Sequence, residues 1–189
     1  MTAKSRLEVG VDVPWVTSWS EEAQTGVSRC PSIDGQLAIG QKQKPGVGDP
    51  LYSRNHLFRQ RKSVREMRCP MCGEPTPEDD RWSQTAKRTT AGQLRADGFG
   101  PALPADMADA QALLDCGAIA PLHRVCAEAA LTRCPHLVRM DDVELKRFPK
   151  AWVIVPLWIE ARPPKPPAPK PPPKSVAVVS FLQLIGVED

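Results

Sequence analysis

The strongest chemical signal in the sequence is a pair of cysteines separated by two residues. Cys69 and Cys72 are followed at once by Gly73, in the order Cys-Pro-Met-Cys-Gly. Two thiolates at this spacing can bind one zinc ion from a tight turn, and the glycine lets the backbone turn while its amides approach the sulfur atoms. The pattern therefore predicts a zinc knuckle.

A second pair of potential ligands, His123 and Cys126, completes a tetrahedral set. They are three positions apart, so on a helix they lie on one face in adjacent turns and can reach the same ion. Four protein ligands leave no open coordination position, which argues against a catalytic metal. We therefore expect one structural Zn²⁺ with these ligands: Cys69, Cys72, His123 and Cys126.

The remaining cysteines are weaker candidates. Cys116 lies before His123 in a loop-like stretch and is the substitute fourth ligand if His123 does not bind. Cys134 is too far from Cys126 to share its ion, because eight residues of continuous helix rise about 12 Å. Cys30 is isolated and is expected to be a buried thiol.

The elements that must position these ligands follow from periodicity and helix-capping signals. The pattern predicts helices over 53–67, with Ser53 as cap, over 105–115, and from Pro121 to about Cys134. Residues 151–159 are rich in β-branched and aromatic side chains and predict a strand, which Pro156 makes an edge or bent strand. The expected fold class is α+β, a small treble-clef-like domain stabilised by zinc.

The domain organisation follows from shifts in composition. We expect an irregular N-terminal segment over 1–50 and a zinc-binding domain over 51–162. Residues 163–173 contain eight prolines in eleven positions, so 163–174 is predicted to be a stiff polyproline II spacer rich in proline and lysine. Residues 175–189 are an apolar tip, expected to be a strand or a docking peptide held at a distance by this Pro-rich C-terminal arm.

The ligand motifs resemble those of a group of small phage, prophage and bacterial proteins without an assigned activity. These share a CxxCG knuckle, then P-x-H-x-x-C-A-x-x-A-L and a terminal C-P-(H or F)-L, which this chain matches over about residues 69–137. The resemblance implies a phage or prophage setting and zinc binding by the two ligand pairs. It implies nothing about a substrate.

Charge is balanced overall, with 25 basic and 22 acidic residues, but one segment is basic. Six cations face a single acid, Glu66, along the helix predicted before the knuckle: Arg54, Arg59, Arg61, Lys62, Arg65 and Arg68. Such a helix can neutralise several phosphates with little sequence specificity. Nucleic-acid binding by these residues is therefore one functional hypothesis, and a solvated helix face is the simpler interpretation.

The function that we expect is binding without catalysis, by an adaptor or inhibitor that engages a host or phage protein through the apolar tip. The alternative is a nucleic-acid-binding accessory protein. A treble-clef nuclease has little support, because no additional histidine lies between Cys72 and His123. The N-terminus lacks the apolar segment of a signal peptide, and no stretch approaches 18 apolar residues, so we expect a cytoplasmic protein without a membrane partner.

Overall fold

The computed structural model describes residues 3–134, 137–139, 143–161 and 175–188, and its fold is mixed α+β, as the sequence predicts. The strands are β1 (Thr17–Trp19), β2 (Gln24–Arg29), β3 (Leu37–Gln41), β4 (Pro50–Asn55), β5 (Trp82–Ser83), β6 (Lys87–Thr90), β7 (Ala112–Asp115), β8 (Lys146–Arg147), β9 (Ala151–Ala161) and β10 (Val176–Val187). The α-helices are α1 (Leu57–Arg65), α2 (Ala91–Leu94) and α3 (Arg124–Arg133). The predicted spacer over 163–174 lies outside the described residues.

Strand β10 is the centre of a six-stranded sheet. One edge of β10 pairs with antiparallel β9 along its whole length. The other edge pairs with two strands: β3 runs parallel to it at Val179, and β7 runs antiparallel over 185–187. Strand β2 continues the sheet beyond β3, and β6 continues it beyond β7. The sheet therefore divides on one side of β10, with a gap between β3 and β7.

Two polar side chains of α1 fill this gap. Gln60 accepts a hydrogen bond from the backbone N–H of Leu182 (3.0 Å) and donates to the carbonyl of the same residue (2.7 Å). Arg61 donates to the carbonyls of Ser180 (2.7 Å) and Ile39 (2.9 Å), where β10 and β3 diverge. Both side chains are almost fully buried. Helix α1 thus supplies the hydrogen bonds that a continuous neighbouring strand would make.

Apolar side chains cover both faces of the sheet. One cluster joins α1 to the sheet through Val64, Leu114 and Leu184, and the other contains Leu113 and Ile185 on the opposite face. Neighbouring residues of one strand belong to different clusters because successive side chains of a strand point to opposite faces. Strand β10 is therefore buried on both sides, as a central strand must be.

A buried ion pair anchors α1 to the turn after β1. Both terminal nitrogens of Arg59 donate to the carboxylate of Glu22 at 2.7 Å, and Glu22 also accepts from the backbone N–H of Trp19 at 2.9 Å. Burial alone raises the pKa of Glu22, but the hydrogen bonds and charge of Arg59, with the amide of Trp19, lower it overall. The pair is thus ionised. The carboxylate and both terminal nitrogens of Arg59 are hydrogen-bonded, whereas the buried Nε of Arg59 has no partner among the described residues.

His56 is the N-cap of α1 and is held as the neutral imidazole. Its Nδ1 accepts from the backbone N–H of Arg59 at 3.3 Å, and its Nε2 lies 2.9 Å from the carbonyl oxygen of Lys42, to which it can only donate. Burial is the largest influence on the pKa of His56 and lowers it. A second proton on Nδ1 would displace the cap, so the geometry and the pKa shift agree.

The expectation of an irregular N-terminal segment over 1–50 is wrong between residues 17 and 41. This stretch contains three strands, and β3 pairs with β10 from the far end of the chain. The strands are three to six residues long, which is too short for alternation to stand out in the sequence.

Two predicted helices also require correction. The first begins at Leu57, four residues after the predicted cap Ser53, because Ser53 and Arg54 belong to β4. The helix predicted over 105–115 is absent, and the end of that range is β7, whose Leu113 and Leu114 are fully buried. Helix α3 lies within the third predicted helix, and β9 confirms the strand predicted over 151–159.

The apolar tip is a strand, but it is not held at a distance. Residues 176–187 form β10, and Val178, Leu184 and Ile185 are fully buried in the sheet. The backbone groups of β10 are already paired with three other strands of its own chain. This segment is therefore the centre of the fold and offers no free strand to a partner.

Removing the carboxylate of Glu22 is predicted to destabilise the protein strongly. Glu22→Gln leaves the buried charge of Arg59 without a counter-ion, so we expect a loss of about 3–5 kcal/mol in the free energy of unfolding. Urea unfolding at pH 7 measures this loss. A matched double variant, Glu22→Leu with Arg59→Met, carries no buried charge and should recover part of this loss. It should stay less stable than the parent, because the N–H of Trp19 and the carbonyl of Thr17 lose their buried partners. A loss below about 1 kcal/mol in Glu22→Gln would contradict the assignment.

The stabilisation that the Glu22–Arg59 ion pair provides should depend on pH, and Glu22→Gln can be used to measure that dependence. The pKa of Glu22 is lower in the folded protein than in the unfolded chain, where a glutamate titrates at about 4.3. The stabilisation is therefore complete above that value and is lost as the pH falls through the lower folded pKa. The difference in stability between the parent and Glu22→Gln should shrink only in that acidic range.

Candidate metal centre

The turn that carries Cys69 and Cys72 is closed by backbone hydrogen bonds. The N–H of Cys69 donates to the carbonyl of Glu74, and the N–H of Gly73 donates to the carbonyl of Cys69, both at 2.8 Å. Gly73 has a φ of +84°, and a Cβ at this position would lie 2.7 Å from the indole of Trp15. Both the positive φ and the close contact with Trp15 require glycine. This explains why Gly73 follows the second cysteine of the predicted knuckle.

The entry of α3 positions the second pair of ligands. Leu122 and Trp82 exchange two backbone hydrogen bonds, of 2.8 and 2.9 Å, which fix the chain immediately before His123. The carboxylate of Asp80 accepts from the N–H of Arg124 at 2.8 Å and so caps the helix. His123 occupies the N-cap position, and Cys126 lies in the first turn. Strand β5 and the loop before it thus aim this helix end at the knuckle.

A hydrogen bond fixes the orientation of the imidazole of His123. Its Nε2 lies 3.0 Å from the carbonyl oxygen of Pro75, and because a carbonyl only accepts, Nε2 carries the proton. Nδ1 is therefore the nitrogen with a free lone pair, and it lies 3.4 Å from the sulfur of Cys72 and 3.9 Å from that of Cys126. A ligating histidine commonly has such a carbonyl partner on its other nitrogen.

The structure brings together all four residues that the sequence spacing singled out. The ligand atoms of Cys69, Cys72, His123 and Cys126 all lie within 4.8 Å of one another. In a tetrahedral site with metal–sulfur bonds of about 2.3 Å, two sulfurs lie about 3.8 Å apart, so the observed group needs only small adjustments to enclose one ion. The cluster can hold a metal ion such as zinc.

The buried surroundings of this cluster raise the pKa of two of its thiols. Burial raises the pKa of the Cys69 thiol, although the backbone N–H groups of Cys72, His123 and Met71 lower it in part. Burial and the neighbouring sulfurs of Cys69 and Cys72 also raise the pKa of Cys126. A bound metal ion reverses this effect, because a coordinated thiol is deprotonated outright. A metal ion at this position would therefore bind Cys69 and Cys126 as thiolates.

The other three cysteines stand apart from this cluster. Cys116, the substitute ligand in the sequence analysis, is buried in the main core, and burial raises the pKa of its thiol to about 12. Cys30 is also in that core, with its sulfur 3.1 Å from the hydroxyl of Ser32. Cys134 is the C-cap of α3, at the opposite end from Cys126. His123 is thus the residue that the geometry places with the knuckle.

The N-terminal segment contacts the knuckle, which the sequence reasoning missed. The backbone N–H groups of Trp15 and Val16 donate to the carbonyls of Met71 (2.7 Å) and Pro70 (3.0 Å). The only sequence signal was the apolar character of the residues around Pro14, which did not identify a partner. The N-terminal segment is thereby tied to the loop that carries two ligands.

The six cations expected to form one exposed basic face do not do so. Arg59 and Arg61 are 3% and 2% exposed and serve the buried contacts described above. Arg65 pairs with Asp34 at 2.8 Å, and Arg68 with Glu66 at 2.6 Å. The remaining two are Lys62, within 4.0 Å of Glu66, and Arg54, exposed in β4. The prediction of a solvated basic helix face is wrong for the two buried arginines.

Comparisons with protein-family models, with curated proteins and with solved structures find no match to this chain. No α-helix in the described part of the chain is long and apolar enough to cross a membrane.

We predict that the purified chain carries one metal ion and that His123 is one of its ligands. Cys72→Ser and His123→Ala should each lose the ion, whereas Cys116→Ser and Cys134→Ser should retain one ion per chain. Native mass spectrometry with elemental analysis measures both the amount and the identity of the metal. Retention of the metal by His123→Ala together with its loss from Cys116→Ser would overturn the ligand assignment.

Proposed function

We propose that this protein is a zinc-stabilised binding protein without catalytic activity, which engages a protein partner through the outer edge of β9. The assignment of the metal rests on the cluster of three cysteines and one histidine. Thiolate and imidazole ligands in a tetrahedral arrangement suit Zn²⁺. Because four protein ligands fill its coordination, such an ion has no position for water or substrate, and its role is structural.

The sources of the two ligand pairs support the proposal of a treble-clef-like site. One pair comes from a knuckle and the other from the first turn of a helix, as the sequence analysis expects. Cys72 and His123 are 51 positions apart, and β5, β6, α2 and β7 lie between them. We infer a treble-clef-like site built into a larger sheet.

The proposed binding surface is defined by backbone groups that face away from β10. The backbone N–H and C=O of Leu182 bond to Gln60, and those of Leu184 bond to residues 116 and 117. At both positions the backbone polar groups of β10 therefore face away from β9. Their partners in β9 are Pro156 and Ile154. In an antiparallel pair, such positions also turn their own polar groups outward. Alternation along β9 gives Trp152 and Trp158 the same orientation. The register shift beside Trp158 comes from an extra residue in β10, Ser180, whose hydroxyl donates to the carbonyl of Leu157, so it leaves the alternation of β9 unchanged.

The side chains along this edge suit a protein partner. Trp158 is 52% exposed and Ile159 is 41% exposed, and both belong to β9. Among the described residues, no backbone hydrogen bond reaches the outward groups of this strand apart from its ladder to β10. An open edge with exposed aromatic and branched side chains can accept an added strand, with main-chain bonds for affinity and side-chain contacts for specificity.

Two other strands have an outer edge in the same sheet, and both are poorer candidates. Strand β2 is six residues long, fully exposed and mostly polar. Strand β6 is four residues long and begins Lys87-Arg88, and such charged side chains discourage strand addition. Strand β9 has 11 residues. We therefore assign its edge to an extended segment of a partner protein, paired on both sides of Pro156, which has no N–H to donate.

Nucleic-acid binding is less well supported than protein binding, because few of the six cations are available to bind phosphates. Two of the six cations are buried, and three lie beside acidic side chains. The motif resemblance adds a phage or prophage setting to the proposal, with a host or phage protein as the partner.

Selection of peptides tests the proposed edge. The zinc-loaded chain is used to select binders from a yeast-displayed library of random 12-residue peptides, and selected peptides are synthesised for titration. We expect peptides with alternating apolar residues. Trp158→Pro should bind them about three- to tenfold more weakly than Trp158→Ala, because both variants lose the indole and only the first loses the N–H. On binding, the amide protons of Ile154 and Trp158 should exchange more slowly in the parent chain.

Several outcomes would overturn the partner assignment. They are the absence of selected peptides, equal binding by Trp158→Pro and Trp158→Ala, and tighter binding to a DNA or RNA duplex that is lost in Arg54→Ala. Self-association abolished by Trp158→Pro would assign the edge to a second copy of the chain. Metal content and circular dichroism confirm that each variant retains its fold.

A further inference from the structure

A cavity of about 460 Å³ lies against the middle of β9. One wall is formed by four consecutive residues of that strand, from Val155 to Trp158. The other wall belongs to a loop between α2 and β7 and is formed by Gly98, Phe99, Pro101 and Ala102. We call this space the edge cavity.

The edge cavity extends around the outer edge of β9. Val155 and Leu157 project to one face of the sheet, and Pro156 and Trp158 project to the other, because successive side chains of a strand alternate. A cavity confined to one face would be lined by one of these pairs, whereas this cavity is lined by both. None of its described wall residues belongs to β10, which occupies the inner edge. The edge cavity therefore adjoins the outward backbone groups of β9.

The loop wall of the edge cavity is held in place by contacts of its own. Phe99 and Ala102 pack in the same apolar cluster as Val155, so the loop lies on the face to which Val155 projects. Arg95 donates to the carbonyls of Met107 (2.6 Å) and Pro104 (3.3 Å), which ties the two ends of the loop together. An incoming side chain thus meets a preformed recess, and little ordering cost remains for binding.

A strand added to β9 would direct alternate side chains into the edge cavity. The backbone of Leu157 faces β10, and its carbonyl accepts from the hydroxyl of Ser180 at 2.9 Å. Val155 and Leu157 are therefore the positions at which an antiparallel neighbour outside β9 makes no hydrogen bonds, and side chains approach most closely at such positions. A residue of the added strand opposite either of them projects to the same face as they do. The loop wall lies on that face.

The walls favour an aromatic side chain. Apart from the indole N–H of Trp158, the side chains that line the cavity in the described part of the chain contain no polar atom. A charged residue would lose its hydration there without gaining a partner. Phe99 and Trp158 offer rings to an incoming ring, and aromatic pairs contribute more than the area they bury. Because an apolar cavity of about 150 Å³ already holds benzene, the edge cavity has room for the ring of any aromatic residue.

We infer that the edge cavity receives a tryptophan, phenylalanine or tyrosine side chain of the partner segment, and that this residue determines which segments bind. The inference rests on the proposed function, since it requires the strand added to β9. It describes the partner as an extended segment with an aromatic residue opposite Leu157 or Val155.

Substitution in the bound peptide tests this inference in the parent chain. Among the 12-residue peptides selected on the zinc-loaded chain, an aromatic residue should recur at one position. Replacing it with alanine should weaken binding by about tenfold or more, as expected for a side chain buried at the centre of an interface. Nuclear Overhauser contacts should join the ring protons of that residue to the methyl groups of Val155 or Leu157. Neither measurement depends on the folding of a variant.

A matched pair of variants tests whether the ring occupies the edge cavity. Ala102→Leu narrows the cavity and should weaken binding of the aromatic peptide by about fivefold or more, while binding of the alanine-substituted peptide stays within about twofold. Ala96→Leu makes the same change at an exposed position outside the cavity and should bind both peptides as the parent does. Circular dichroism and metal content confirm that each variant retains its fold.

The outcomes distinguish the edge cavity from the β9 edge. Selected peptides without a recurrent aromatic residue would overturn the cavity assignment, and so would an alanine substitution that has the same effect in Ala102→Leu as in the parent. The edge assignment would stand in both cases if Trp158→Pro still bound more weakly than Trp158→Ala. The absence of selected peptides would overturn both assignments.

Discussion

The fold depends on the hydrogen bonds that α1 makes to the edge of β10 between β3 and β7. On one side of β10, the neighbouring positions are taken first by β3 and later by β7, and neither reaches the middle of the strand. The backbone groups of Leu182 would be buried there without partners if Gln60 did not bond to both. A buried, unpaired peptide group is costly, so the side chains of Gln60 and Arg61 determine whether this sheet can form.

The same helix connects the sheet to the metal centre. Helix α1 ends three residues before the turn of the knuckle begins, and Ser63 and Arg68 exchange hydrogen bonds of 2.6 and 2.9 Å across that short link. The N-terminal segment contacts both regions, because Val16 donates to Pro70 and accepts from the N–H of His56. An ion bound at the cluster would therefore hold the knuckle, α3 and the start of the chain against the sheet. This explains how a chain with so many short elements can maintain one arrangement.

The two ligand pairs were predictable because each obeys a local rule: a thiolate pair in a turn, or a pair three residues apart on a helix. The burial of Arg59 and Arg61 was not predictable in the same way, because charged side chains are mostly exposed in proteins and a run of cations indicates a surface. A signal was present, since Gln60 and Arg61 lie between Leu57 and Val64 at the spacing of a buried helix face. The central place of β10 depends on pairing between segments separated by the proline-rich run, and no local pattern encodes such a partner. The helix predicted over 105–115 was wrong for the same reason. The alanine and leucines of β7 favour a helix locally, and only pairing with β10 makes this segment a strand.

The metal centre and the proposed partner edge are connected through α1 and β10. Helix α1 ends just before the knuckle, its Gln60 bonds to Leu182, and Leu182 faces Pro156 in the middle of β9. Contact alone does not make two sites communicate, because coupling requires an element with two arrangements whose balance both sites affect. The amide of Gln60 is fixed by three hydrogen bonds, to Ala118 and to both backbone groups of Leu182, and any rotation would break at least two of them inside the core. The element between the two sites thus has one arrangement, so the structure favours a metal centre that holds the β9 edge in place and does not switch it.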